Sequence, residues 1–252
     1  MLCVLLIMPD LPSTIMSPNT PTVYIFPPAE QPSVAVRGST ARYAVSRIFC
    51  VGRNYAAHAR EMGGNPEREA PFYFTKPASA LVPSGATVPY PPGTKNYHYE
   101  MELVIAIGAP VFKLTPDSAG AAVWAYGAGL DMTRRDLQAE SKAAGRPWDT
   151  AKSFEQSAVI TELVRASETG PLTRGNISLA VNGVPKQQGD LSDMIWSVPE
   201  IVANLSQLYH LQPGDLIYTG TPEGVGPLQP GDMITGEIAG LPPLTLWISE
   251  PA

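Results

Sequence analysis

The chain has 252 residues, of which 44% are hydrophobic and 27 are proline, and its formal net charge is −6. This length is sufficient for a full hydrophobic core in one large domain. The acidic balance, without a long basic run, argues against nucleic acid or an anionic membrane as a partner. The two cysteines, Cys3 and Cys50, do not form a disulfide framework, so a reducing cytoplasm is the expected location.

The chain begins with an apolar stretch, MLCVLLIMPD, that has no Lys or Arg before it. The stretch is too short to span a bilayer and lacks the basic start of a secretory signal. We interpret it as an upstream extension, with Met16 as the natural start and a Pro-rich arm after it. The expected domains are an N-terminal extension with a small β segment at residues 1–45 and one large domain at residues 46–252.

The first half of the chain is rich in predicted strands. In chain order, strand patterns occur in SVAVRG, RYAVSRIFCVG, APFYFTKPASAL, which is broken at Pro77, and YEMELVIAIG. Between the second and third of these, NYAAHAREMGG predicts a short helix that ends at its glycines. The segment VPSGATVPYPPGTKN predicts loop and turn. The small-residue run that ends at Asp131 is compatible with helix or strand.

The second half continues this pattern with two clearer helices. TRRDLQAESKAAG predicts a helix that Thr133 caps and that Gly145 and Pro147 end. NISLAVNGVPKQQG has Asn-Gly between two runs, which indicates a β-hairpin. SVPEIVANLSQLYHL predicts an amphipathic helix, and the chain after it is typical of β structure. Strands therefore dominate, and the expected fold class is α+β, mainly β, with a few helices.

Two carboxylates, Glu100 and Glu102, stand at the mouth of the predicted strand YEMELVIAIG. They share one strand face about 6.6 Å apart, and the face continues into Val104 and Ala106. Burying them unpaired would be costly, and a bound cation would remove that cost. Asp131 offers a third carboxylate, and oxygen ligands favour Mg²⁺ or Mn²⁺ over zinc. The alternative is a solvent-facing strand that carries two glutamates.

Six segments in a fixed order carry a resemblance to a known family. They are IFCVGRNYAAHAREMG, FTKP, YEMELVIAIG, GLDMTRRDLQ, AKSF and GDLIYTGTPEGVG. Together they resemble the fumarylacetoacetate hydrolase family, most closely its branch of fumarylpyruvate hydrolases and acylpyruvases, over residues 46 to 249. The resemblance implies a catalytic domain with a mixed β-roll and, usually, a homodimer.

The resemblance also implies roles for individual residues. A divalent metal, Mg²⁺ or Mn²⁺, is expected at Glu100, Glu102 and Asp131, and His98 is not expected to be a ligand. The expected catalytic residues, including a water-activating pair on a lid, are His58, Glu61 and Lys152. The expected substrate contacts are Arg135, Gln138 and Thr221. Gly63 and Gly64 are expected to let the lid move, and Lys76 to have a structural or pocket-lining role.

The implied activity is metal-dependent hydrolysis of a carbon–carbon bond in a small-molecule 2,4-dioxo acid. The expected substrate is fumarylpyruvate, which gives fumarate and pyruvate in gentisate-type breakdown of aromatic compounds. An alternative is a decarboxylase or tautomerase of oxaloacetate or a related β-keto acid, acting through a metal-bound enolate. A second alternative is a non-catalytic β domain in which the metal only stabilises the fold.

Overall fold

The computed structural model describes residues 22–63 and 69–252. Its contacts divide the chain into two units, Met1–Glu30 and Gln31–Ala252. Residues 22–30 of the first unit contain neither helix nor strand, and Val23, Ile25 and Phe26 are exposed. The expectations for the first residues, including a start at Met16, and for Gly64 lie outside the described residues. The domain boundary at residue 45 stays a prediction.

The second unit has about twice as many residues in strands as in α-helices, which confirms the expected mainly β fold class. Their bounds are β1 Ser33–Ala35, β2 Arg42–Ala44, β3 Arg47–Gly52, β4 Phe72–Lys76, β5 Leu81–Pro83, β6 Ala86–Pro89, β7 Tyr97–His98, β8 Met101–Ile107, β9 Val123–Asp131, β10 Thr133–Arg134, β11 Ala158–Ile160, β12 Val164–Arg165, β13 Asn176–Val181, β14 Val184–Asp190, β15 Asp215–Tyr218, β16 Met233–Ile238 and β17 Leu244–Ser249.

Short helices connect these strands. The α-helices are α1 Ala56–Glu61, α2 Pro116–Ala119, α3 Arg135–Ala143, α4 Asp149–Lys152, α5 Ala166–Thr169 and α6 Val198–Leu208. The predicted helices correspond to α1, α3 and α6. In α6, the Ser197 and Glu200 side chains form a capping box that pairs the first amides of the helix. Within the described residues, no helix has the length and apolar character needed to cross a membrane.

Two mixed sheets form the framework. The larger has the strand order β4-β3-β15-β8-β9-β11-β5, with β12 also paired to β9. The smaller has the order β14-β13-β16-β17-β6, and its β13–β14 hairpin turns at the predicted Asn182 and Gly183. In the larger sheet β8 is antiparallel to both neighbours, β15 and β9. This central position makes every residue of β8 buried.

The ambiguous small-residue run is a strand, β9, because it is packed on both faces. Almost all of its residues are buried. A Cβ atom at Gly129 would lie 2.6 Å from Val104 Cγ2 and 2.7 Å from the Tyr218 ring. Small side chains in β9 thus let larger residues of the neighbouring strands approach its backbone.

One predicted loop is wrong. VPSGATVPYPPGTKN contains the last two residues of β5 and all of β6, and each strand adds to the edge of a sheet by parallel pairing, with β11 and β17 respectively. Both strands end at a proline, Pro83 and Pro89, a residue that sheets tolerate at an edge or a strand end. The proline content therefore obscured edge strands whose partners lie far along the chain.

Candidate active site

Three carboxylates lie together at one end of the larger sheet. Glu100 immediately precedes β8, Glu102 is the second residue of β8, and Asp131 ends β9. The antiparallel register pairs Met101 with Leu130, which places Asp131 opposite Glu100. One oxygen of each side chain lies within 4.8 Å of the other two, and all three residues are buried. The ends of two adjacent strands thus bring the predicted metal-binding trio together.

Three cations surround this trio. Lys152 Nζ lies 2.7 Å from Glu100 Oε2 and 2.7 Å from Asp131 Oδ2. Lys76 Nζ lies 2.9 Å from Asp131 Oδ1, and Arg135 Nη2 lies 2.5 Å from Glu100 Oε1. Three negative charges therefore face three positive charges. A bound divalent cation would leave this centre with two excess positive charges, which would attract an anionic ligand.

The two glutamates differ in how their charges are compensated. Burial raises the pKa of Glu100, but Lys152 and Arg135 outweigh this and hold the pKa well below its usual range. Burial raises the pKa of Glu102 well above its usual range, and the neighbouring carboxylates add to the shift. The polar partner of Glu102 is the Gly220 amide, which donates to Oε2 at 2.7 Å. Glu102 is thus the carboxylate with the greatest need for a cation.

The donor set fits a hard divalent cation. Each ionised carboxylate has about four lone-pair sites, so oxygens that accept from Lys152 or Arg135 keep capacity for a metal. Mg²⁺ and Mn²⁺ favour such oxygen ligands. His98 is not part of the trio, and its Nε2 contacts Asn96 Oδ1 at 2.8 Å. Burial and the Arg135 guanidinium lower the pKa of His98 to about 4.

His58 and Glu61 lie one turn apart on α1, and His58 lines the cavity that contains the trio. His58 Nδ1 is 3.0 Å from Glu61 Oε2, and Glu61 Oε1 accepts from the Gly224 amide at 3.0 Å. A carboxylate acceptor favours the ring proton on Nδ1 and leaves the Nε2 lone pair available. The pair can therefore act as a base toward a molecule in the cavity.

Arg135 and Gln138 reach the same cavity from α3. Both are buried, and Arg135 Nη1 donates to Gln138 Oε1 at 2.6 Å. Their i, i+3 spacing places both side chains on one face of the helix. Thr221, in the loop after β15, also lines this cavity and is 2% exposed. The structure thus gathers all three expected substrate contacts around the trio.

Sequence and fold both match known enzymes. The family model described as fumarylacetoacetate (FAA) hydrolase C-terminal matches residues 47–248. The chain belongs to the fumarylacetoacetate hydrolase family. A fumarylpyruvate hydrolase from Ralstonia sp is 53% identical over 180 residues, which cover 71% of this chain and 93% of the relative. The expected family is confirmed, and the chain is an enzyme, a hydrolase of this family.

Two further family members show the range of activities near this chain. An oxaloacetate tautomerase from Escherichia coli (strain K12) is 40% identical over 200 residues, which cover 79% of this chain and 91% of the relative. The crystal structure of fumarylpyruvate hydrolase from Pseudomonas aeruginosa, in complex with Mn²⁺ and pyruvate, aligns with a TM-score of 0.88 at 48% identity. The alignment covers 90% of this chain and all of the Pseudomonas aeruginosa chain.

Two residues have contacts in this family site that the sequence patterns did not predict. Thr133, expected to cap α3, instead accepts from Lys152 Nζ at 2.6 Å and donates to the Asp131 carbonyl at 3.1 Å. Arg134 occupies the cap position, without a side-chain cap. Lys76 donates to the Lys152 carbonyl, and both lysines are 2% exposed. The lysine pair thus fixes the backbone as well as the charge of the site.

Gln187 positions the predicted substrate contact Thr221. Its Nε2 donates to Thr221 Oγ1 and to the Pro222 carbonyl, both at 2.8 Å, and its Oε1 accepts from the Met101 amide at 3.0 Å. Because an N–H occupies one lone pair of Thr221, the hydroxyl proton remains available to a ligand. Gln187 is 1% exposed, but it lies in the polar run Lys186, Gln187 and Gln188, so no alternation of apolar and polar residues revealed it.

The TGTPEG loop needs its glycines for close approach. The Gly220 amide, at φ +98°, donates to Glu102, and the Gly224 amide, at φ +91°, donates to Glu61. A Cβ atom at Gly224 would lie 2.0 Å from the Lys186 carbonyl oxygen. One loop therefore contacts both a carboxylate of the trio and the carboxylate of the α1 pair.

Proposed function

We propose that this enzyme hydrolyses fumarylpyruvate, a 2,4-dioxo acid, to fumarate and pyruvate. The observation that carries the proposal is that His58, paired with Glu61, lines the same cavity as the trio Glu100, Glu102 and Asp131. Such a cavity presents a base and a cation site to one substrate. The 53% identity to the Ralstonia sp fumarylpyruvate hydrolase supports the choice of substrate.

The cavity wall binds and orients the oxo-acid end of the substrate. Mg²⁺ or Mn²⁺, which polarises carbonyl oxygens as a Lewis acid, would be held by Glu100, Glu102 and Asp131. The oxo-acid end of the substrate also accepts hydrogen bonds from side chains on the cavity wall, those of Arg135, Gln138 and Thr221. The carboxylate and adjacent keto oxygen of a 2-oxo acid match these converging donors.

The α1 pair and Lys152 act on the bond that breaks. His58 Nε2 takes a proton from water, and Glu61 stabilises the resulting imidazolium. The hydroxide adds to the C4 carbonyl, and the C3–C4 bond breaks with its electron pair moving to C3. The products are fumarate, whose new carboxylic acid group releases its proton to water, and the enolate of pyruvate, whose negative charge the Lys152 ammonium stabilises. The proton on His58 returns to C3 and completes pyruvate.

A product analysis tests the proposal. The protein is stripped with a chelator, Mg²⁺ or Mn²⁺ is restored, and fumarylpyruvate and oxaloacetate are supplied separately. We expect metal-dependent loss of fumarylpyruvate with equal amounts of fumarate and pyruvate, and no turnover in the stripped protein. Production of CO₂ from oxaloacetate, with fumarylpyruvate left intact, would contradict the proposal. The substitution His58→Gln should abolish hydrolysis while metal affinity is retained.

The second candidate is tautomerisation or decarboxylation of oxaloacetate. The 40% identity to the Escherichia coli oxaloacetate tautomerase favours it. This chemistry would use the trio and Lys152 around an enolate but would need no attack by water. Oxaloacetate enol–keto exchange, followed by absorbance in the same metal-restored protein, measures it. The presence of both His58 and Glu61, arranged as a base pair, favours hydrolysis.

We also propose that the enzyme is a cytoplasmic homodimer that acts in gentisate-type breakdown of aromatic compounds. The acidic chain with few cysteines supports a reducing compartment. Light scattering of the purified protein at several concentrations gives the mass of the assembly. A mass of one chain at all concentrations would contradict the dimer.

A further inference from the structure

Arg53 lies where the cavity of the trio meets a wider cleft. This cleft has a volume of about 560 Å³, and its wall includes Phe72, Phe74 and Trp148. Arg53, Phe74 and Trp148 also line the cavity that contains the carboxylate trio. A ligand with one end at the trio can therefore extend past Arg53 into the cleft.

The backbone of Arg53 is strained. Its φ of +57° is left-handed, a region that favours Gly or Asn and is unfavourable for a long side chain. Such conformations persist where the surrounding structure determines them, and they are concentrated at ligand-binding sites. The position directly follows β3 and precedes α1, so the strained residue lies between the sheet and the helix of the His58–Glu61 pair.

Aromatic rings hold the Arg53 guanidinium. Its Cζ lies 5.4 Å from the centroid of the Phe72 ring, a cation–π contact. The Phe72 ring meets Trp148 edge to face, with centroids 5.4 Å apart. Phe72 also lies so close to Gly52 that a Cβ atom there would come within 2.1 Å of the ring. This packing fixes the guanidinium without using its N–H donors.

The other cations of the cavity already have acceptors. Arg135 and Lys152 contact the trio, and Lys142 Nζ donates to the Met62 carbonyl at 3.2 Å. Arg53, by contrast, has no hydrogen-bond acceptor and no carboxylate partner within residues 22–63 and 69–252. A fixed, half-buried guanidinium with free donors, beside a cleft with aromatic walls, is suited to a planar anionic group.

We propose that Arg53 binds a second carboxylate at the far end of the acyl group. It would make the enzyme selective for dicarboxylic over monocarboxylic 2,4-dioxo acids. This inference rests on the proposed function, which places the oxo-acid end at the trio. The flat, conjugated chain between the two ends would lie against Phe74 and Trp148.

Two substrates with the same dioxo-acid core test the proposal. Fumarylpyruvate carries the second carboxylate, and acetylpyruvate does not. We expect Arg53→Met to lower kcat/KM for fumarylpyruvate roughly 10- to 100-fold, mainly through KM, because a charge-assisted hydrogen bond is lost. The value for acetylpyruvate should change less than about twofold, and Arg53→Lys should restore part of the loss. Arg60→Met, at an exposed position on α1, removes the same charge and should leave the ratio of the two substrates unchanged.

A binding measurement separates this inference from the proposed hydrolysis. In a Glu61→Ala background with Mn²⁺ present, calorimetry compares the affinities of the two acids with and without Arg53→Met. A preference for fumarylpyruvate that Arg53→Met abolishes supports the inference, even if the parent enzyme does not cleave the substrate. Equal losses for both acids, or no loss for either, would overturn it. Thermal melting of each variant establishes that it is folded.

Discussion

In the larger sheet, carboxylates are buried near both ends of the central strands, and the two ends differ in how the charges are compensated. At one end, Asp215 is fully buried and accepts from Arg47 Nε at 2.7 Å, from Arg47 Nη2 at 2.5 Å and from the Gln212 amide at 2.8 Å. The pairing of Leu216 with Ala106 places Asp215 near the end of β8 that lies away from the trio. At the other end, three carboxylates line a cavity, and Glu102 has an amide as its polar partner.

The contrast shows what distinguishes a structural charge from a candidate ligand. A bidentate guanidinium compensates Asp215 within the fold, so nothing further is required there. Glu102 has no such partner among the described residues, and its raised pKa records the cost of that burial. Burial of a carboxylate is therefore a weak indication of function. Burial with incomplete compensation, at a cavity wall, is a strong one.

Glu102→Gln, at the cavity end of the sheet, should have the largest effect, which is a loss of metal-dependent activity. We expect metal-dependent activity to fall on the order of 10³-fold or more, because a charged metal ligand is lost. The metal-free protein should melt at the same temperature as the parent or above it, since an uncompensated buried charge has been removed. Calorimetry with Mn²⁺ and thermal melting in a chelator measure both effects. Unchanged metal affinity would contradict the assignment.

Glu61→Ala should lower turnover without weakening metal binding, which distinguishes the role of the α1 pair from that of the metal site. The expected loss in kcat is roughly 10²- to 10⁴-fold, the usual contribution of general base catalysis. Affinity for Mn²⁺ and the melting temperature should stay close to the parent values. Glu140→Ala, at an exposed position on α3, is a matched control. If Glu61→Ala retains full turnover, the pair has no catalytic role.

Asp215→Asn should have the opposite effects, with stability lowered and catalysis unchanged. The substitution weakens the bidentate, charge-assisted contact between the buried Asp215 and the partly exposed Arg47, and it should cost about 1.5–3 kcal/mol of unfolding free energy. The kcat/KM of the folded fraction should be unchanged, because the pair lies at the far end of the sheet. Urea denaturation followed by circular dichroism gives the stability. A matching loss of kcat/KM would show that the two ends are coupled.

Gln187→Leu should produce a smaller effect at the cavity end. Loss of the amide that holds Thr221 should raise KM about tenfold, with little change in kcat, because a positioning contact is removed. Gln188→Leu, one residue on and exposed, should leave KM unchanged. Steady-state kinetics on fumarylpyruvate distinguishes the two variants, and equal KM values would exclude the positioning role.

Asp136→Asn should have the smallest effect, and that effect should depend on pH. Slight burial raises the pKa of Asp136, but hydrogen bonds from Thr94 Oγ1 and the Lys95 amide outweigh this and lower it. A lowered pKa stabilises the fold above the ordinary pKa, and the contribution is lost as pH falls through the lowered value. We expect a difference of about 0.5 kcal/mol or less at pH 7 that disappears in acid. A difference that grows in acid would contradict this assignment.

Much of the secondary structure could be predicted from local patterns. Terminal glycines helped to predict α1 and α3, an amphipathic pattern predicted α6, and Asn-Gly predicted the β13–β14 hairpin. These signals are local, because hydrogen bonds within a helix or a tight turn join residues close in sequence. The edge strands β5 and β6 were missed because their pairing partners, β11 and β17, lie far along the chain.

The residue types of the candidate site were also visible in the sequence. Glu100 and Glu102, two residues apart on a strand, with Asp131, indicated a cation site from chemistry alone, and the family resemblance agreed. Only the tertiary structure showed that Glu100 is compensated by Lys152 and Arg135, whereas Glu102 is not.

The sequence by itself determined the types of the main helices and strands, the family and the carboxylate trio. The tertiary structure decided that the small-residue run is strand β9, that Thr133 contacts Lys152 instead of capping α3, and that Gln187 and Arg53 adjoin the site. The reason is physical. Local spacing sets backbone conformation, but burial, charge compensation and cavity lining depend on segments that folding brings together from distant parts of the chain.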